Sequence, residues 1–314
     1  MWQFIIKRLM ATVLVIVATS MLTFGILNLT PGETGAVILK HAFIGIDETP
    51  EKSSVTDINK RYKLNDPLYK QYFSWSKEAI QGNLGTSYVY HMPVSELLKS
   101  KLPATALLAG ISVMLSLLIA IPLGILCAVK RNSIVDHICR LGALLSVSMP
   151  SFWLGLLLII LFSLRLDLFP VAGYQGFSSL VLPCVTLSIS MAAVTLRIMR
   201  AKMLDVLNQD YILTARSKGL NGGKVIKRHA LRNTLSPVIT VVGLQFGHLL
   251  GGSVVVETVF AWPGIGKLLV DSILAKDIPV VLGCILFITA VYAVINLLVD
   301  LSYALLDPRI SYGR

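Results

Sequence analysis

The chain has 314 residues, of which 55% are apolar and only 14% charged, with a formal net charge of +11. A water-soluble domain carries about 25% charged residues, so a purely aqueous globule is excluded. The excess of Lys and Arg falls in short polar connectors, which makes it a record of membrane topology and gives no reason to invoke nucleic acid.

Apolar runs of about 20 residues, enough to cross roughly 30 Å of hydrocarbon, predict six spans at about 9–29, 103–129, 138–164, 179–200, 236–258 and 280–304. The first follows Lys7 and Arg8. It is too long for the apolar core of a signal peptide, and no small-x-small cleavage pattern precedes Pro31, so it reads as a retained span. Residues 30–102 form the one sizeable polar segment. Helical spacing covers Asp57 to Leu64 and Leu68 to Ile80, broken by Asn65-Asp-Pro67, followed by a turn at Gly82-Asn-Leu-Gly85 and a short helix from Val94. The expectation is an all-α polytopic membrane protein with a helical extracytoplasmic cap between helices 1 and 2.

Lys7 and Arg8, then Lys130, Arg131 and Arg140, then the basic loop 201–235, then Arg309 and Arg314 all fall on one side if both termini are cytoplasmic. The opposite connectors balance Arg165 against Asp167, and Lys267 and Lys276 against Asp271 and Asp277. Cys127, Cys139, Cys184 and Cys284 are widely spaced in sequence without a CxxC pair, so neither a disulfide framework nor a zinc site is expected.

No P-loop, zincin motif, nucleophile elbow or dinucleotide fingerprint occurs. The ionisable residues near spans (Arg197, His248, Glu257, Asp300) are far apart in sequence, which leaves an intramembrane hydrolase remote. The loop between spans four and five is longer than a plain connector. Ala215, Leu220, Val225, Ile226 and Leu231 are spaced among its basic residues, the pattern of a short helix that lays an apolar face into a partner's groove. A basic helix lying on anionic lipid is the alternative.

Tyr211-x-x-Thr214-Ala215-Arg216-x-Lys218-Gly219-Leu220 resembles the coupling motif of ABC importer permeases of the dipeptide, oligopeptide and nickel family, in the version that lacks the acid of the general Glu-Ala-Ala-x-x-x-Gly pattern. The ordered occurrence of Leu64-Asn-Asp-Pro-Leu68, Gly85-Thr-Ser87, Leu102-Pro-Ala-Thr105, Ser148-Met-Pro-Ser-Phe-Trp153, Arg200-Ala-Lys-Met-Leu-Asp205, His229-Ala-Leu-Arg-Asn233, Glu257 to Gly264, Asn296-Leu-Leu-Val-Asp300 and Leu306-Asp-Pro-Arg309 extends the resemblance over nearly the whole chain. It is similar to the first of the two permeases of such importers. The resemblance implies a type I fold in a prokaryotic cell membrane, divided into helix 1–29, extracytoplasmic segment 30–102, permease core 103–306 with a coupling helix at about 211–222, and a cytoplasmic tail 307–314. It also implies a second homologous permease, two ABC ATPases that use ATP and Mg, and an extracytoplasmic substrate-binding protein, with no cofactor held by this chain.

On that basis Tyr211, Thr214, Ala215, Arg216, Lys218, Gly219 and Leu220 are expected to couple to the ATPase, with Arg216 in the place of the missing acid. Pathway and gate candidates are Gln245, His248, Glu257, Trp262, Pro263 and Gly264, the Trp being suited to the membrane interface. Asn296 and Asp300, four residues apart, are expected to hydrogen-bond between helices. Gly173-Tyr-Gln-Gly-Phe177, Phe260-Ala-Trp-Pro263 and Asp47-Glu-Thr-Pro-Glu51 look closer to nickel and metal-chelate members, so the expected cargo is nickel, with His248, His91 and His41 as weak metal ligands. Dipeptides or oligopeptides are the alternative cargo. A membrane scaffold without transport is a remote one.

Overall fold

The computed structural model describes residues 2–29, 34–42, 52–62 and 64–306; the side chains of His41, His248 and Asp300, the stretch 43–51 and the tail 307–314 lie outside the description. The described residues are mostly helical, and the only extended pairing among them is an isolated bridge between Thr86 and Pro93. Four helices are long and apolar enough to cross a membrane, over Met10–Leu29, Val94–Val129, Ser178–Leu207 and Ile278–Val299. Two bent pairs raise the number to six if each is one span. The chain divides into two compact units, residues 1–105 with 263–293 and residues 106–262 with 294–314.

The first unit holds α1 (Trp2–Leu29), α2 (Thr34–Ala42), α3 (Lys52–Arg61), α4 (Leu68–Ile80), the start of α5 (Val94–Val129), α12 (Ile265–Leu274) and the first half of α13 (Ile278–Leu306). Phe24 and Leu27 of α1 pack with Ile278, Val281 and Leu282, and Tyr72 and Trp75 of α4 close over them. The Tyr72 hydroxyl meets Ser20 Oγ at 2.9 Å. Ser20 lies about 14 Å before the end of α1 at 1.5 Å per residue, so α4 runs alongside that helix rather than beyond its end.

The turn expected at 82–85 is present, with φ of 86° at Gly82 and 89° at Gly85. The short helix expected from Val94 is instead the start of a 36-residue helix that passes unbroken through Pro103 and Pro122. Proline is tolerated within spans because neighbouring groups can satisfy the freed carbonyls.

The second unit holds the rest of α5, α6 (Ile134–Ser148), α7 (Ser151–Leu158) with a π-helical turn at Ile159–Arg165, α8 (Ser178–Leu207), α9 (Asp210–Ser217), α10 (Gly222–Lys224) with a second π-helical turn at Val225–Ala230, and α11 (Leu231–Val259). α8 is the central element, with most of its apolar window buried. Gly124 lets α5 approach it closely, since a Cβ there would stand 2.7 Å from Met199 Cβ. Small residues serve this purpose where no hydrophobic effect drives helices together.

The third predicted span is not straight. α6 and the arm Ser151–Arg165 meet at 108°. Pro150 has no N–H to donate and holds Met149 extended (ψ 127°), which ends the helix there. Each arm is about 15 residues or 22 Å, too short to cross alone. The fifth span bends by 58° between Gly247 and Gly251.

Candidate functional site

The loop after α8 is built from an eight-residue helix and a turn. α9 ends at Ser217, inside the predicted 211–222, and the chain reverses at Gly219, where φ is 75°. Gly219 N–H donates to Arg216 O at 2.9 Å and Leu220 N–H to Ala215 O at 3.4 Å, closing the helix with a left-handed residue that glycine supplies at least cost. Asn221 then caps α10 by accepting from Gly223 N–H at 3.0 Å.

The apolar face of this loop points inward, contrary to the expectation of an apolar face offered to a partner. Ala215 and Val225 are buried, together with Ile212 and Ala230, against Ala128, Met199, Met203 and Val238. Those contacts repay burial that no exposed helix of eight residues could obtain alone. What remains exposed between 211 and 220 is Tyr211, Leu213, Thr214, Arg216, Ser217, Lys218, Gly219 and Leu220. Six of the seven predicted coupling residues therefore share one accessible surface, and Ala215 anchors it from behind. Asn233 Nδ2 donates to the Tyr211 hydroxyl at 2.8 Å, tying the loop to α11.

Deeper in the same unit, a cavity of about 270 Å³ lies between the start of α7, α8 and α11, with Ser151, Ser190 and Gln245 as polar walls and Leu187, Met191 and Leu249 as apolar ones. Gln245 Oε1 accepts from Thr195 Oγ1 at 3.2 Å, while its Nε2 is buried and without a hydrogen-bond partner among the described residues. An unpaired buried amide N–H costs about 1–3 kcal/mol, so this donor is suited to a polar guest.

Glu257 and Trp262 are both wholly buried, which corrects the reading of Trp262 as an interface residue. Trp262 N–H donates to Glu257 O at 2.7 Å. The Tyr174 ring stands edge-on to the indole, with centroids 5.1 Å apart, and Gly173 N–H donates to Phe260 O at 2.8 Å. The two stretches read as cargo-specific, 173–177 and 260–263, are thus in contact through Gly173, Tyr174, Phe260 and Trp262. In the other unit, Gly264 opens α12, whose first N–H, from Ile265, donates to Thr105 Oγ1 at 2.8 Å.

Asp277 was not singled out from the sequence. It is buried and accepts from Ser87 Oγ, Tyr88 N–H at 3.1 Å and Val89 N–H at 3.2 Å, clasping the loop before α5. Burial pushes its carboxyl above the usual range, and the hydrogen bonds from Ser87, Tyr88, Val89 and Val280 pull it back in part. Burial, with the Asp277 charge beside it, likewise raises the Tyr88 phenol. Asp136 was also missed. Its buried carboxylate takes both Arg200 Nε (2.6 Å) and Nη2 (2.7 Å), and Asn132 N–H at 3.0 Å. An acid next to a Ser-x-x-Asp helix start, with an arginine closing another span, was the available signal.

His91 is exposed, with φ of 54°. His41 and His248 have no described side chain, and among the described residues no three His, Cys, Asp or Glu groups converge as a metal site. Asn296 Oδ1 is buried without a hydrogen-bond partner among the described residues, and Asp300 lies outside the described side chains.

A family described as "Binding-protein-dependent transport system inner membrane component" matches residues 120–312. The chain belongs to that family. The companion N-terminal family of binding-protein-dependent membrane components matches residues 1–109. This permease is 38% identical to the oligopeptide transport system permease protein AppB of Bacillus subtilis, over 99% of this chain and 100% of that one. It is also 38% identical to the glutathione transport system permease protein GsiC of Escherichia coli K12, with the same coverage. The crystal structure of an amino acid ABC transporter with histidines superposes with a TM-score of 0.52 at 16% identity, covering 69% of this chain and 95% of that one, and shares the fold. The permease is thus a membrane subunit of an ABC importer with the type I fold.

Proposed function

We propose that this permease forms half of the translocation pathway of an ATP-driven importer of short peptides. It would work as the first of two related permeases, with two ABC ATPases and an extracytoplasmic binding protein. The carrying observation is the full-length 38% identity to permeases named for oligopeptides and for glutathione, itself a tripeptide. Those names favour the peptide alternative over nickel, and the nickel expectation is withdrawn.

In this reading the exposed surface of Tyr211, Leu213, Arg216, Lys218 and Leu220 docks an ATPase, where the hydrolysis of ATP takes place. Both termini are cytoplasmic, and residues 30–102 face the binding protein. ATPase closure pushes α9, and the buried cluster behind it passes the displacement to α8 and α11. Gln245 offers its free N–H to a peptide carbonyl as cargo passes, while Ser151 and Ser190 accept or donate as needed. Groups of this kind suit neutral backbone amides, which are common to peptides of any sequence.

The test is reconstitution in proteoliposomes with the second permease, the ATPases and the binding protein. ATP-dependent uptake of a labelled dipeptide, oligopeptide or glutathione is expected. Uptake of nickel alone, or of any solute driven by an ion gradient without the ATPases, would overturn the proposal.

A further inference from the structure

We infer that the cleft between α6 and α8 holds the headgroup of an anionic phospholipid. The cleft has a volume of about 780 Å³, and His137, Arg140, Arg197 and Arg200 line it. Asp136 is the acid beside these groups, and its oxygens are already committed to Arg200 and Asn132 N–H. Arg140 and Arg197 form no ion pair among the described residues. His137 Nδ1 pairs with Ser133 O at 2.9 Å, which leaves its other ring nitrogen for a guest.

Arg197 is exposed although it lies within α8, ten residues before the helix ends. A guanidinium at such a place in a span requires an anion or a path to the interface. The walls grade with depth. On α6 the order His137, Arg140, Leu141, Leu144 runs from basic to apolar away from its first turn. On α8, Arg200, Arg197 and Val194 run the same way towards its N-terminus, since the Arg200–Asp136 pair sets Arg200 beside the first turn of α6. Leu141, Leu144 and Leu145 continue the apolar side as exposed residues, 58%, 57% and 55% accessible. A cationic mouth that leads onto an apolar track matches a phosphate with acyl chains attached; a soluble anion has no use for the track. Basic pockets between spans are suited to such headgroups.

The inference does not rest on the cargo, and its test reads lipid alone. The purified transporter, with its partner subunits, is stripped of lipid and offered an equimolar mixture of phosphatidylglycerol and phosphatidylcholine, and retained lipid is counted by native mass spectrometry. Phosphatidylglycerol is expected to be retained in preference. The double substitution Arg140→Gln with Arg197→Gln should lower that retention by about 30-fold, on the scale of two basic contacts, and leave phosphatidylcholine unchanged. Ala201→Trp, which fills the cleft with every charge intact, should also expel the lipid and keeps the test decisive if the arginine variants fail to assemble. Equal retention of both lipids, or no loss in either variant, would overturn the inference. So would displacement by millimolar inorganic phosphate, which marks a soluble-anion site, or efficient crosslinking of the Arg197→Cys variant to the second permease, which marks a protein-covered face.

Discussion

Gly219 is the position where the coupling proposal meets a calculable cost. Its φ of 75° is in the left-handed region, and a Cβ built there meets nothing within 4 Å. Substitution therefore carries no steric penalty from this chain, and only the backbone term of about 1–2 kcal/mol remains. Asn tolerates this region better than other L-residues, and a β-branched residue tolerates it least. Uptake and cargo-stimulated ATPase activity in reconstituted transporter should fall by roughly 5- to 30-fold for Gly219→Ala, further for Gly219→Val, and little for Gly219→Asn. The ranking carries the argument. If Asn and Val both match the wild type, the left-handed turn is not needed for coupling. If both abolish activity alike, the requirement is for a missing side chain at a docked surface, and the conformational reasoning is wrong.

Three further outcomes follow from the buried contacts. Asp136→Asn leaves the Arg200 charge without its bidentate partner and is expected to destabilise the detergent-solubilised protein by about 3 kcal/mol, read as a lowered melting midpoint. Pairing Asp136→Leu with Arg200→Met should recover most of that loss, and a double variant no better than the single one would refute the ion-pair account. Gly124→Val drives a branched side chain into Met199 and the Leu196 carbonyl, so a loss of about 1–3 kcal/mol is expected, whereas Gly251→Ala, with open space around it, should cost less. For Asp277, a folded pKa above the ordinary carboxylate value means the folded state binds its proton more tightly. The resulting stability is fully present below about pH 3.9 and is lost as pH rises through the raised value. The melting advantage of wild type over Asp277→Asn should therefore widen on acidification from pH 7 towards 4, and a narrowing would show that the donated hydrogen bonds outweigh burial.

The spans were legible because lipid demands long apolar runs, and the loop 201–235 was legible because a charged, patterned stretch of that length has no role as a connector. Direction was not legible. Ala215 and Val225 have the same spacing whether the helix turns them to a partner or to its own bundle, and only the company of Met199, Met203 and Val238 decides it. The bend at Met149-Pro150 was written in the sequence as a proline, yet hydropathy averages across it and reported one straight crossing. Trp262 was assigned to the interface by residue type, and the ring of Tyr174, distant in sequence, buries it instead. Asp136 and Asp277 escaped notice because each acid owes its place to a partner distant in sequence, Arg200 on α8 for the first and Ser87 in the loop before α5 for the second, 64 and 190 residues away.

Ile212 and Ala215 sit in one packed cluster with Ala128 at the close of α5, with Met199 and Met203 on α8, and with Val238 on α11. A sideways load on the short helix is therefore not carried by its two short connectors alone. It bears on three neighbouring rods at once through incompressible side chains, so those rods must shift as a block. With an ATPase docked on α9 as proposed, an enlarged void there would act as a slack gear: the nucleotide engine would turn at its usual rate while the stroke delivered to the membrane shortened.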